Sequence, residues 1–373
     1  MDKKDIVAGH ICLDITPVFP GETKSKVSDI LMPGKLIETG AASVSAGGAV
    51  ANTGLAMKLL GADVRLMGKT GNDEFGGIIS KILKRYDAHQ DLIRAENESS
   101  SYSVVLAIPG IDRIFLHCPG TNNTFEADDI PVNVLENAVL MHFGYPPLMK
   151  KMYSDNGNEL VKLFVKANKA GCATSLDLAA VDPSSDAGRA DWFSILKNVI
   201  PFVDVFTPSI EELCFMLDRN RFREWQERAG DNDITEILDI DNDIRPVADI
   251  CMELGCRILL IKCGAPGLYY RTASMETLKN IPSGLGLDID QWAAKEGFER
   301  SYKPDKVLSA TGAGDTSIAA FLTSMLEGGT PEECVKLAAA TGACCVSAYD
   351  ALSGLRPLSE LREKIKEGWE KIS

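Results

Sequence analysis

The sequence predicts a doubly wound α/β domain that carries a second, smaller β-sheet. Three observations predict it. Short apolar runs alternate along the chain with helical patterns, as in a sheet wrapped by crossover helices. Most of those runs are continuously apolar, which suits parallel strands covered on both faces. Two stretches, 11–46 and 98–120, break the rhythm and read as hairpin material without long helices.

The strand-like runs are Asp5 to Gly9, Asp63 to Gly68, Val139 to Gly144, Ala173 to Leu178, Phe202 to Phe206 and Arg257 to Lys262. Helical periodicity marks Ala51 to Leu60, Phe75 to Tyr86, Gly157 to Ala170 and Val247 to Leu254. Ser100 to Ile108 and Asp112 to Cys118 flank Pro109-Gly110-Ile111, a turn sequence. An antiparallel sheet projecting from the main body would follow, and it could act as a lid. Asp218 to Ile244 and Ile281 to Asp305 read as insertions. The whole chain, 1–373, is therefore expected to be one domain with a lid made from about 11–46 and 98–120.

Composition narrows the partners. The chain is 45% hydrophobic and 25% charged, ordinary for a protein with a real core. Its 53 acidic against 39 basic residues give a net charge of −14, which repels nucleic acid and anionic membranes. Local phosphate binding stays open, because backbone dipoles supply it in an acidic protein. The start, Met-Asp-Lys-Lys-Asp, has no apolar h-region after it, and no apolar stretch is as long as a membrane span. The ten cysteines form no Cys-x-x-Cys pair, and the four histidines (10, 89, 117, 142) lack metal-ligand spacing. A reduced, cytoplasmic protein is expected.

The most informative segment is Leu308-Ser-Ala-Thr-Gly-Ala-Gly-Asp-Thr-Ser-Ile. Ile318, Phe321, Leu322 and Met325 make one apolar helical face, and Gly328-Gly329 ends that helix. Gly312, Ala313 and Gly314 thus stand at a helix N-terminus, where amides lack intrahelical partners and negative charge is favoured. Asp315, in the first turn beside this anion site, could accept a proton from an attacking hydroxyl. It could equally just complement the helix dipole.

Here the chain resembles the PfkB/ribokinase family of carbohydrate kinases. Residues 312–315 match the Gly-Ala-Gly-Asp of the family's C-terminal signature, with Ser309 and Ala310 in place of its leading Asp-Thr. Gly47-Gly48-Ala49-Val50-Ala51-Asn52 resembles the N-terminal signature, and Gly68-Lys69-Thr70-Gly71-Asn72-Asp73-Glu74-Phe75-Gly76 its Gly-x-x-Gly-x-Asp-x-x-Gly run. Gly9 with Asp14 fits the first strand and the substrate-binding Asp. Looser matches are Ser209-Ile210-Glu211-Glu212, where the family has Asn-x-x-Glu, and Lys262-Cys263-Gly264-Ala265-Pro266-Gly267, which resembles the strand-loop bordering the nucleotide.

The resemblance implies a ribokinase-like, three-layer α/β/α fold with a small β-sheet lid. It implies ATP-dependent, Mg²⁺-assisted phosphorylation of a hydroxyl, a primary one, on a sugar or sugar-like substrate. Asp315 would be the base and the 312–314 backbone the anion hole. Asp14, Gly47, Gly48 and Asn52 would bind the acceptor, Thr311, Gly264 and Gly267 the nucleotide, and Glu212 would organise Mg²⁺ through its waters. Bland readings stand beside several of these. Ser209-x-x-Glu212 is also a capping box, and Gly264 and Gly267 also suit a hairpin turn. The Asp-Thr pair contributes to a monovalent-cation site in some members, so Ser309 and Ala310 put K⁺ dependence in doubt. Lid pairing in this family suggests a homodimer. A nucleoside acceptor, or a non-catalytic ligand-binding member of the same fold, are the alternatives. No Gly-x₄-Gly-Lys-Ser/Thr loop is present, and no Gly-x-Gly-x-x-Gly follows the first strand, against a P-loop or ordinary dinucleotide-binding enzyme.

Overall fold

The computed structural model describes residues 3–19, 27, 30–109, 111 and 114–372. Nine strands form the main sheet. In chain order they are β1 (Asp5–Gly9), β4 (Val64–Gly71), β5 (Ile93–Ala95), β8 (Leu140–Gly144), β9 (Ala173–Asp177), β10 (Val205–Phe206), β11 (Ile258–Lys262), β12 (Gly267–Thr272) and β13 (Glu296–Arg300). In space they run β13-β12-β11-β10-β9-β8-β1-β4-β5. The seven strands from β11 to β5 are parallel, and β12 and β13 are antiparallel additions at one edge.

Side chains leave each strand on alternating faces, and both faces are covered. Ile6 and Ala8 join Phe143, Leu176 and Phe206 in one core, while Val7 joins Leu66, Leu140, Val205 and Leu260 in the other. That is why the strand runs read as continuously apolar. Ala313–Leu326 lies between Ala49–Leu60 and Pro331–Cys345 and is buried almost all round, not along the single face that its periodicity suggested. Gly342 brings two of these helices together, since a Cβ there would lie 2.6 Å from Ser317 Oγ. Close helix packing thus accounts for the small residues of 338–343.

The lid is a separate sheet, ordered β3-β2-β6-β7, of β2 (Cys12–Thr16), β3 (Ser43–Gly47), β6 (Tyr102–Leu106) and β7 (Ile114–Cys118). The expected hairpin is present as β6 and β7; Gly110, in its turn, lies outside the described residues, as do 20–26 of the first lid segment. The chain leaves the main sheet at Gly9-His10-Ile11 to enter the lid. Asn122 fixes this departure: it accepts from the Ile11 N–H at 3.2 Å and donates to the Ile11 carbonyl at 2.9 Å. Asp73 fastens the other lid arm, accepting from the Ser100 N–H and hydroxyl while capping the Glu74–Lys84 helix. The Gly-x-x-Gly-x-Asp run therefore has a direct mechanical role.

Two expectations shift. The Phe202 run shortens to Val205–Phe206, because Ile200–Phe202 forms one helical turn around Pro201. Ile281 to Asp305 supplies the edge strand β13, which pairs with β12. All ten cysteines are free. No helix of the described residues is long and apolar enough to cross a membrane.

One buried carboxyl works against the fold. Asp5 is 8% exposed, its Oδ1 has no hydrogen-bond partner among the described residues, and burial raises its pKa from 3.8 to about 7. A carboxyl raised in the folded state costs stability as pH climbs from the unfolded to the folded value. Asp5→Asn is expected to gain about 1–3 kcal/mol above pH 7. Denaturant titrations across pH should show the gain shrinking below about 7 and gone near 4.

Candidate active site

The C-terminal ends of the parallel strands converge below the lid, where open α/β sheets bind ligands. Asp315 sits there, 5% exposed, in the first turn of the Ala313–Leu326 helix. Three donors hold its carboxylate. Tyr145 Oη donates to Oδ1 at 2.6 Å and Thr53 Oγ1 to the same oxygen at 3.2 Å. Asn52 Nδ2 donates to Oδ2 at 3.1 Å. An sp² oxygen offers two lone-pair directions. Oδ1 is therefore filled, and Oδ2 keeps one direction for an incoming hydroxyl.

Each donor has a structural reason for its place. Asn52 and Thr53 are the fourth and fifth residues of the helix Ala49–Leu60, which starts just after β3. Tyr145 follows β8 with φ 68° and ψ 41°, a left-handed backbone that costs a non-glycine residue about 1–2 kcal/mol. Such strain at a strand end motivates a functional reading. Burial, followed by the charges of Asp315 and Asp177, raises the Tyr145 pKa well above its ordinary value. The phenol therefore stays protonated and remains a donor.

The 311–314 loop opens onto the same point. Gly312 is the helix N-cap with φ 77°. The Ala313 N–H, expected to face an anion, donates to Ala310 O at 3.3 Å. Of the amides of 311–315, those of Gly312, Gly314 and Asp315 have no protein partner among the described residues. Ser309 Oγ accepts from the Thr311 N–H at 3.1 Å and so shapes the loop. Thr311 itself is exposed.

The acceptor-side residues come together differently from the expectation. Asp14 belongs to the lid strand β2, opposite Ser45 of β3, and not to the end of the first strand. Burial raises its pKa, countered by hydrogen bonds from Cys12 and Ser103. Gly47 is required by that carboxylate, since a Cβ would lie 2.0 Å from Asp14 Oδ2. Gly48 takes φ 84° beside His10. His10 packs against His117 of β7 and against Tyr145, with ring centroids 5.4 Å and 6.0 Å apart. Burial, with His117 second, lowers its pKa to about 3, so this ring is neutral.

On the other side stand Asp177, Glu212 and Lys262. Lys262 Nζ donates to Asp177 Oδ1 at 2.6 Å. Burial alone would depress the lysine pKa, yet Asp177, with Glu212 and Asp315 nearby, holds it above its ordinary value. Glu212 completes the capping box with Ser209: Ser209 N–H donates to Oε2 at 3.0 Å and Glu212 N–H to Ser209 Oγ at 3.3 Å. Gly264 (φ 64°) and Gly267 (φ 146°) form the β11–β12 turn, closed by Cys263 N–H to Gly267 O at 2.9 Å. Among the described residues no three His, Cys, Asp or Glu side chains converge as a metal cage. Glu212, with one oxygen committed to a protein donor, fits an ion held through phosphate and water.

Thr53, Tyr145 and Asp177 belong to no motif read from the sequence, and Lys262 enters there only as part of the strand-loop bordering the nucleotide. Tyr145, Asp177 and Lys262 share one local signal, a polar group at or just past the end of a strand; Thr53, inside a helix, has none.

A two-sided α/β/α sheet with this lid defines the ribokinase-like class. Residues 11–356 match the model of the pfkB family carbohydrate kinases, and the chain belongs to that family. It is similar to an uncharacterized sugar kinase of Archaeoglobus fulgidus, 26% identical over 307 residues, covering 81% of this chain and 98% of that one. Its fold resembles the Arabidopsis thaliana ribokinase solved with ribose and ATP (TM-score 0.70, 20% identity, 98% and 99% of the two chains). It also resembles a putative ribokinase II from E. coli solved with ATP and Mg²⁺ (TM-score 0.68, 19% identity, 98% and 99% covered). The chain is a carbohydrate kinase.

Proposed function

We propose that this kinase transfers the γ-phosphoryl group of ATP to a primary hydroxyl of a small sugar or sugar-like acceptor. The observation that carries the reading is Asp315, held by three donors with one lone-pair direction open, beside helix-start amides. The acceptor lies between Asp14 on the lid and Asp315 below it, with Gly47 and Gly48 admitting close backbone approach. Its hydroxyl proton passes to Asp315 Oδ2 as the oxygen attacks phosphorus. The amides of Gly312 and Gly314 stabilise charge on the equatorial oxygens. Asn52, Thr53 and Tyr145 keep the carboxylate aimed. Thr311, Gly264 and Gly267 border the nucleotide. Mg²⁺, when bound, neutralises phosphate charge, with Glu212 placed to hold its waters. Lid closure excludes water from the transfer. Val44, Phe115 and Leu116 expose apolar surface on the lid, which supports pairing of two chains there.

The test is ADP release with ATP·Mg²⁺ across pentoses, ketohexoses, keto-deoxy sugar acids and nucleosides. Turnover confined to nucleosides or acids would redirect the acceptor, and no turnover with any compound would remove the reading. Gly47→Ala should then displace the Asp14 carboxylate. Its acceptor KM is expected to rise by about tenfold or more, with ATP KM unchanged.

A further inference from the structure

Lys262 ends β11 and points its ammonium into the centre of the site, and nothing described so far uses it. Its side chain is 13% exposed and that of its partner Asp177 1%. Burying such a pair is costly, and a well-packed apolar pair would serve stability as well or better. The backbone is fastened too: Lys262 N–H donates to Pro208 O at 2.9 Å, and Lys262 bridges Ser209, the cap of the Glu212 helix.

Two observations give the ammonium a ligand. First, it lies behind the anion-binding loop: a Cβ built on Gly314 would be 3.3 Å from Lys262 Cδ and 3.8 Å from Nζ. Second, the carboxylate that holds it can release it. Asp177, Glu212 and Asp315 all act on this one ammonium, and burial, the largest cause, raises the Asp177 pKa to about 8, so Asp177 can take up a proton when the ammonium turns to a phosphate. An ammonium on a flexible stem is a point charge suited to phosphate.

We propose that Lys262 is a catalytic residue that leaves Asp177 when ATP binds and contacts the transferring phosphoryl group beside Gly314. The inference rests on the kinase reading above. In the transfer, the bond from phosphorus to the ADP oxygen breaks as the bond to the acceptor oxygen forms. The acceptor proton goes to Asp315, and Lys262 keeps its protons throughout. Asp177 holds the ammonium while the site is empty.

The experiment compares Lys262→Met, Lys262→Arg and Asp177→Asn in the full chain. The probe is a non-hydrolysable ATP analogue with Mg²⁺, bound in a calorimeter, so that no acceptor need be known. Lys262→Met is expected to bind it about tenfold or more weakly, and Lys262→Arg to recover part of the loss. Asp177→Asn frees the ammonium and should bind the analogue as tightly as the unaltered protein or more tightly. A pair that merely ties β9 to β11 predicts the opposite pattern, with Lys262→Met and Asp177→Asn lowering thermal stability and binding together. That pattern, or unchanged binding by Lys262→Met, overturns the proposal while the kinase reading stands. Should the unaltered protein fail to bind the analogue, both fall. If Lys262→Met does not fold, the contrast between Lys262→Arg and Asp177→Asn decides.

Discussion

Asp315→Asn is expected to lower kcat by about 10²–10⁴-fold, the span of a positioned general base. The substitution keeps size and shape but removes the proton acceptor. It also disturbs the donors. Oδ1 can still accept from Tyr145 and Thr53, but an amide nitrogen at the Oδ2 position would meet Asn52 Nδ2, which now donates there at 3.1 Å. Two N–H groups would face each other, so one of the two amides must turn over or move aside. Asp315→Ala separates the two effects, because it leaves all three donors unmatched and loses the base as well. Affinity for ATP·Mg²⁺ should change little in either variant, since the phosphate-facing amides are backbone groups. Steady-state kinetics with the best acceptor from the screen, set beside calorimetric nucleotide binding, makes the check. A kcat within a few-fold of the unaltered enzyme would mean that another group takes the proton.

How far the site could be read depends on how local each part is. Gly312, Gly314 and Asp315 lie within four consecutive positions, so the anion loop and its carboxylate are legible as one helix start. Asn52 and Thr53 reach Asp315 across more than 260 positions, and Tyr145 across 170. Only the folded sheet reveals those partners. Asp177 and Lys262 are harder still: Lys262 ends an otherwise apolar strand and reads as its boundary, and Asp177 follows Thr174 and Ser175 in a strand that already mixes polar with apolar residues. Asp14 was placed on the first strand, since nothing local marks that Gly9-His10-Ile11 leaves the main sheet. The strands missed altogether, β5 and β13, are an edge pair with partly exposed residues. They carry no continuous apolar run, and pairing with a neighbour creates them. The long buried strands were legible for the converse reason, since two covered faces demand apolar residues at every position.

The second large effect is expected at Gly312, where backbone geometry carries the function. Gly312→Val should cut kcat by about 10²–10³-fold, comparable to removing an oxyanion-type donor. Two strains act together. At φ 77° and ψ 0° the residue is in the left-handed region, which a β-branched side chain tolerates poorly. A Cβ there would also lie 2.3 Å from Ala351 Cβ and 3.0 Å from Ala351 Cα. The loop must therefore shift away from Ala351, and the amides of Gly312 and Gly314 shift with it. Asp315 follows in the same helical turn, but its three donors come from other elements and resist the displacement. The damage should accordingly fall on phosphoryl transfer more than on acceptor binding: a large loss in kcat with acceptor KM within a few-fold. Ala351→Gly supplies the control. It relieves the contact and leaves the backbone strain, so Gly312→Ala combined with Ala351→Gly should recover part of the loss of Gly312→Ala alone. No recovery would assign the defect to backbone conformation by itself. Full activity in Gly312→Val would mean that these amides do not bind the transferring group.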